Sequence, residues 1–311
     1  MGNTGPLEQE DIITPTNTAW KISVSDEVMP SIAMPRGERS PAMYETTNSA
    51  RINGIDIHYR IYGEGEPLLM IMGIIANADW WYPPFLEPLT QRFQVVTFDN
   101  RGAGRTTQAE GPYTIPLMVE DTLGLMDHLG LPSAHVLGHS MGGMIAQELA
   151  LEHPDRVRKL ILMSTSCGGR ESVPAAPEVF KALFTTGQGL SDEETARALP
   201  SLLYPQKFTD RNPELAEETV RLNFISPMTP ACFMAQGNAA ITWSDHSRLG
   251  GLRHPTLVIT GSEDILMPPQ NSRILAEAIP DSRLVEFEGG GHGLIVQFPE
   301  KAVEEILAFL A

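Results

Sequence analysis

The chain has 311 residues, 42% hydrophobic and 20% charged, a composition that buries a substantial core and argues against disorder over most of its length. A formal net charge of −17 disfavours nucleic acid and anionic membrane surfaces, and the densest basic run, "RVRK" at 156–159, is too short to offset it. Cys167 and Cys232 make neither a disulfide framework nor a metal site, no apolar stretch reaches the roughly 20 residues of a bilayer span, and the N-terminus carries no leader pattern. The expectation is a cytoplasmic protein without metal or cofactor.

In chain order, residues 1–48 are rich in Pro, Thr, Ser and Glu without helical or strand period and read as an extension on the surface. "ARINGIDIHYRIYG" then alternates around Asn53-Gly54, the favoured two-residue hairpin turn. Six short apolar runs follow: "PLLMIM", "FQVVTF", "AHVLG", "VRKLILM", "PTLVIT" and "SRLVEFE". They alternate with amphipathic segments at 117–130, 144–154, 270–279 and 299–310, which predicts a mostly parallel, doubly wound α/β sheet with an antiparallel entry. About 90 residues between "ILMST" and "PTLVIT" lack a strand pattern but carry helical patches, "SDEETARALPSLL" and "PELAEETVRLNF". So long an insertion reads as a helical cap over the sheet edge. The division expected is an extension (1–48), a core in two parts (49–168 and 248–311) and the cap (169–247).

Within this pattern Gly138-His139-Ser140-Met141-Gly142 fits G-x-S-x-G between a strand and a helix, the context that motif requires. The glycines allow a corner too tight for Cβ atoms, and the serine hydroxyl stands above the carboxyl ends of the strands, where open α/β sheets bind ligands. A helix-capping serine in a glycine-rich turn is the competing reading. The partners separate the two, because serine chemistry in this topology needs an acid and then a histidine further along the chain. Asp264 follows "PTLVIT" in "GSEDILMP", with Glu263 as the alternative acid, and His292 follows the next strand in "EGGGHGLI". His246 precedes the acid and falls in the wrong order; His139 is read as structural, pointing away from the serine hydroxyl.

At these residues, together with "FDNRGAGRT" at 98–106, the chain resembles the α/β-hydrolase superfamily over roughly residues 50–311, and within it the capped carboxylesterases and lactonases, enol-lactonase-like members included. The resemblance implies Ser140 as nucleophile, His292 as general base and then acid, Asp264 as the orienting carboxylate, and an oxyanion hole from the backbone N–H groups of Met141 and Ile74. Relatives usually carry His-Gly where this chain has Met72-Gly73. Asp99 and Arg101 are expected to be structural, and Trp80, Trp81, Tyr82 and Phe85 are candidates to line the substrate pocket, with simple core as the equal alternative. The function implied is cleavage of a small-molecule carboxylic ester or lactone with an apolar portion. Other readings are a C–C bond hydrolase, a perhydrolase with the same triad, and a non-catalytic receptor of the same fold.

Overall fold

A computed structural model of the protein describes residues 20–22, 45–188 and 197–311. Part of the expected helical patch, residues 191–196, and most of the expected extension lie outside the described residues. All six apolar runs are strands, and with the hairpin and one short edge strand they form a nine-stranded sheet. The strands are β1 (Trp20–Ile22), β2 (Glu45–Ile52), β3 (Ile55–Tyr62), β4 (Glu66–Ile71), β5 (Phe93–Phe98), β6 (Ala134–His139), β7 (Val157–Met163), β8 (Thr256–Gly261) and β9 (Ser282–Phe287). Their order is β1-β9-β8-β7-β6-β4-β5-β3-β2, antiparallel only where β3 pairs with β2 and β5.

Asn53 and Gly54 both adopt positive φ, 47° and 79°, the signature of the type I′ turn that matches strand twist. The stretch before residue 49 departs from expectation. β2 already begins at Glu45, and Trp20–Ile22 pairs in parallel with β9 at the opposite edge. Three residues are too few for a period to show, and an edge strand with one exposed side need not be apolar.

Side chains along β4 alternate between the two faces of the sheet: Leu69 and Ile71 join one buried cluster, Leu68 and Met70 the other. The first face is covered by α2 (Ile115–His128), α3 (Met141–Glu152) and α9 (Gln270–Ala278). The second is covered by α1 (Pro83–Thr90), α10 (Leu294–Gln297) and α11 (Pro299–Leu310). Thr114 caps α2 by accepting a hydrogen bond from the Leu117 N–H, which starts that helix at Ile115.

Between β7 and β8 the chain forms α4 (Pro177–Gln188), α5 (Leu199–Leu203), α6 (Gln206–Arg211), α7 (Pro213–Ile225) and α8 (Pro230–Thr242). α8 is apolar along most of its length and shows little amphipathic period. Chain order reverses about β4, with β5 on one side and β6 on the other. The carboxyl ends of β4 and β6 therefore border the crevice where doubly wound sheets bind ligands. Among the described residues no helix is long and apolar enough to cross a membrane.

Candidate active site

Ser140 stands between β6 and α3 with φ 56° and ψ −123°, a backbone conformation that L-residues rarely adopt. Strain of this kind costs about 1–3 kcal/mol and persists only where the surroundings impose it. Here the Ser140 N–H donates to the Met163 carbonyl at 2.9 Å, and Thr165 Oγ1 donates to the Ser140 carbonyl at 2.7 Å. The flanking glycines are required by contact: a Cβ on Gly138 would lie 2.3 Å from the Gly142 carbonyl oxygen, and one on Gly142 would lie 2.1 Å from that of Ile71.

Asp264 and His292 come together from the loops after β8 and β9. His292 Nδ1 lies 2.8 Å from Asp264 Oδ2, and both side chains are buried. The other carboxylate oxygen, Oδ1, accepts hydrogen bonds from the backbone N–H groups of Leu266 (2.9 Å) and Met267 (2.8 Å). Three donors thus hold an anionic acceptor, which fixes the proton of His292 on Nδ1 and leaves Nε2 free to accept. Glu263 turns outward instead, to Lys207 Nζ at 2.8 Å on the exposed surface.

The loop after β4 runs beside Ser140. A Cβ on Gly73 would lie 2.8 Å from Ser140 Cβ and 3.3 Å from its Oγ, so only glycine lets the backbone come this close. The next residue, Ile74, lines the space above Ser140, and Met141 opens α3 with its N–H in the first, unpaired turn. The loop is pinned from β5: Asn100 Nδ2 donates to the Met72 carbonyl at 2.7 Å, and Asp99 accepts from the N–H groups of Ala78 (2.7 Å) and Arg105 (2.8 Å).

Ser140 lies at the junction of two cavities roofed by the cap. One, of about 120 Å3, is lined by His139, His292, Trp80, Leu202, Tyr204 and Ile295 among others. The other, of about 280 Å3, is lined by Met141, Met144, Phe180, Phe184, Ala240 and Ile241 among others. Ile74, Leu183, Leu266 and Met267 border both. Among the described residues no group of three or more His, Cys, Asp or Glu converges as metal ligands would.

A strained serine, a buried His-Asp pair and a glycine loop at the carboxyl ends of a parallel sheet agree with a comparison of the sequence against known families. The model of the alpha/beta hydrolase fold matches residues 66–299. The chain belongs to the α/β-hydrolase family. Among curated relatives, one from Azorhizobium caulinodans named a carbamate hydrolase, RutD, is 33% identical over 255 residues, covering 82% of this chain and 94% of that protein. A poly(3-hydroxyalkanoate) depolymerase from Ectopseudomonas oleovorans is 31% identical over 244 residues, covering 78% and 84%. Among solved structures, the enol-lactonase from Burkholderia xenovorans superposes with a TM-score of 0.76 at 26% identity, covering 85% of this chain and 99% of that one.

For this α/β-hydrolase the expected pocket residues divide. Trp80 lines the smaller cavity. Trp81 and Tyr82 do not line either cavity: Trp81 stacks on Phe85, with rings 6.1 Å apart, and Tyr82 is buried in the same cluster beneath the sheet. Their selection as pocket residues is corrected because the 3-10 turn Ala78–Trp80 sends consecutive aromatics in different directions and α1 carries the later ones into the core. His139, read from the sequence as structural, also lines the smaller cavity; its ring centre is 4.8 Å from that of His292, and Nε2 lies 3.1 Å from the His292 carbonyl oxygen. A carbonyl only accepts, so Nε2 carries the proton. Burial, with the neighbouring His292 ring, pushes the His139 imidazole down to about 3 and keeps it neutral.

Sequence reasoning passed over Asn100. The available signal was the parallel pairing of β4 and β5, which sets their carboxyl-terminal loops side by side. Asp99 and Arg101 are structural, as expected. Arg101 makes two hydrogen bonds to the buried Asp121 carboxylate, at 2.7 and 2.8 Å.

Proposed function

We propose that this α/β-hydrolase cleaves a carboxylic ester or lactone through an acyl-enzyme intermediate. The observation that carries the reading is the 2.8 Å His292–Asp264 pair opening onto the same apolar cavity as Ser140 held at positive φ. Ser140 Oγ attacks the carbonyl carbon while His292 Nε2 takes its proton. The N–H groups of Met141 and Ile74 receive the developing oxyanion, aided by the positive end of α3. Collapse expels the alcohol, protonated by His292, and water repeats the sequence to release the acid.

A carbamate carbonyl is open to the same attack, and the name of the Azorhizobium relative favours that second reading. The apolar walls around Ser140 favour a substrate with hydrocarbon on both sides over a small polar carbamate. Release of p-nitrophenol from a series of acyl esters, with wild type and Ser140→Ala side by side, tests the proposal. Serine-dependent turnover supports it; equal rates in the two proteins, or serine-dependent turnover of carbamates alone, remove it.

A further inference from the structure

The two cavities flanking Ser140 differ in three ways that bear on which part of a substrate each receives. The first is position relative to the proton carrier. His292 and Gly293 line the smaller cavity, whereas the lining of the larger includes Met141, Ser166 and the segment 172–175 but not His292. The histidine that took the serine proton must return it to the leaving oxygen, so that oxygen has to lie within hydrogen-bond reach of Nε2.

The second difference is access. Every residue lining the smaller cavity is buried or half-buried. The larger reaches the surface through Val173, Phe180 and Ile241, which are 37%, 43% and 54% exposed. Six large hydrophobic side chains are exposed among the described residues, and three of them stand on this one rim. Apolar surface gathered at the mouth of a cleft marks where apolar ligand passes.

The third is charge, where the cavities agree. Among the described residues neither lining contains Lys, Arg, Asp or Glu, and the two imidazoles there are those of His139 and His292. His139 is kept neutral by burial. A carboxylate placed on either side of the scissile bond would lose its water without meeting a cation.

We infer that the larger cavity holds the acyl chain and the smaller the leaving alcohol, so that the substrates are uncharged esters of a long apolar acid with a compact apolar alcohol. This rests on the proposed acyl transfer at Ser140 and adds to it the direction, relative size and charge of the two halves. An acyl chain longer than the cavity runs out over the apolar rim, whereas the alcohol is met by buried and half-buried side chains.

The test is a matrix of kcat/KM for esters that vary acid (acetate to dodecanoate) and alcohol (methyl to benzyl) independently, followed by proton release. Monomethyl suberate, of similar length to methyl octanoate but anionic at its far end, supplies the charge comparison. Wild type is expected to favour methyl octanoate over methyl acetate by about 10-fold or more, since each added methylene in an apolar site raises binding of the transition state. The anionic ester should be turned over about 100-fold more slowly than methyl octanoate. Ala240→Phe, which fills the larger cavity, should move the acid optimum to shorter chains and leave the alcohol preference unchanged. Leu203→Ala, which enlarges the smaller, should admit larger alcohols and leave the acid optimum in place; circular dichroism of each variant checks its fold. An Ala240→Phe variant whose alcohol preference shifts instead, or equal rates for the anionic and neutral esters, overturns the inference while leaving acyl transfer standing. Absence of Ser140-dependent turnover across the whole matrix removes the proposed reaction, and the inference with it.

Discussion

Asp264 meets His292 through a single 2.8 Å hydrogen bond to Nδ1, and its other oxygen is taken by two backbone N–H groups. The carboxylate cannot turn away without losing both backbone donors, so the imidazole it holds has one tautomer and one orientation. Asp264→Asn keeps the size of the side chain but can present an amide N–H to Nδ1, which moves the ring proton to Nε2, where it can no longer accept from Ser140. The expected result is a loss in kcat on the order of 10^4-fold with KM little changed. Steady-state kinetics on any ester that wild type cleaves checks it, and a variant within tenfold of wild type would contradict the assigned role.

His139 is the second support of His292. Its Nε2–H donates to the His292 carbonyl and its ring packs against the His292 ring. His139→Leu removes the donor and lets the loop after β9 shift, so kcat should fall about 10- to 100-fold, as expected of a misplacement near 1 Å. His139→Gln, whose amide can still donate, should recover part of the loss. Because burial holds His139 at about 3, it gains no proton at moderate pH. The acid limb of kcat/KM between pH 5 and 8 should therefore fit one ionisation in wild type and in His139→Gln alike; a two-proton limb in wild type alone would show that His139 titrates there.

How far such roles can be read before a structure depends on what carries them. The core strands were legible because a strand covered on both faces must be apolar along its length, as "AHVLG" and "PTLVIT" are. Ser140 was legible because the close contacts at Gly138 and Gly142 leave a glycine signature in the chain. Asp264 and His292 were legible from order and from their places after β8 and β9. His139 was not, because its role comes from a loop arching over from β9, and the period of β6 says nothing of that loop. Trp80 could not be told from Trp81, since a 3-10 turn has no lasting period to divide cavity from core. Leu202 and Tyr204 reach the cavity only through the fold of the cap, whose helices are short and broken by proline.

Gly73 tests the loop proposed to receive the substrate's carbonyl oxygen. An added methyl would lie 2.8 Å from Ser140 Cβ and 3.2 Å from the His139 carbonyl oxygen, neither of which can give way without moving the elbow. Gly73→Ala should displace the N–H of Ile74 from the proposed oxyanion site and lower kcat on the order of 10^2- to 10^3-fold. Gly250, where a Cβ would meet nothing within 4 Å, is the matched control and should behave as wild type when changed to alanine. Should Gly73→Ala keep full activity, the oxyanion is stabilised elsewhere.

Asp245 predicts a pH dependence of stability. It sits where the cap rejoins the core, its N–H donating to the Cys167 carbonyl at 3.0 Å, with the carboxylate buried. Burial, opposed by Arg248 and reinforced by Glu148, pushes this carboxyl up to about 8 from an ordinary value of 3.8. The folded protein therefore keeps a proton that the unfolded chain has released. Below about pH 4 both states are protonated and Asp245 does not disfavour folding. As pH rises from about 4 to 8, the unfolded state alone ionises, and stability falls by up to about 1.4 kcal/mol per pH unit before levelling off. Asp245→Asn carries no charge and should escape this loss. Urea midpoints measured at pH 5 and pH 8 should show the variant gaining on wild type at the higher pH. The difference between the two proteins cancels every other titrating group. An unchanged gap would place the ordinary carboxylate value, and a solvated side chain, at this junction.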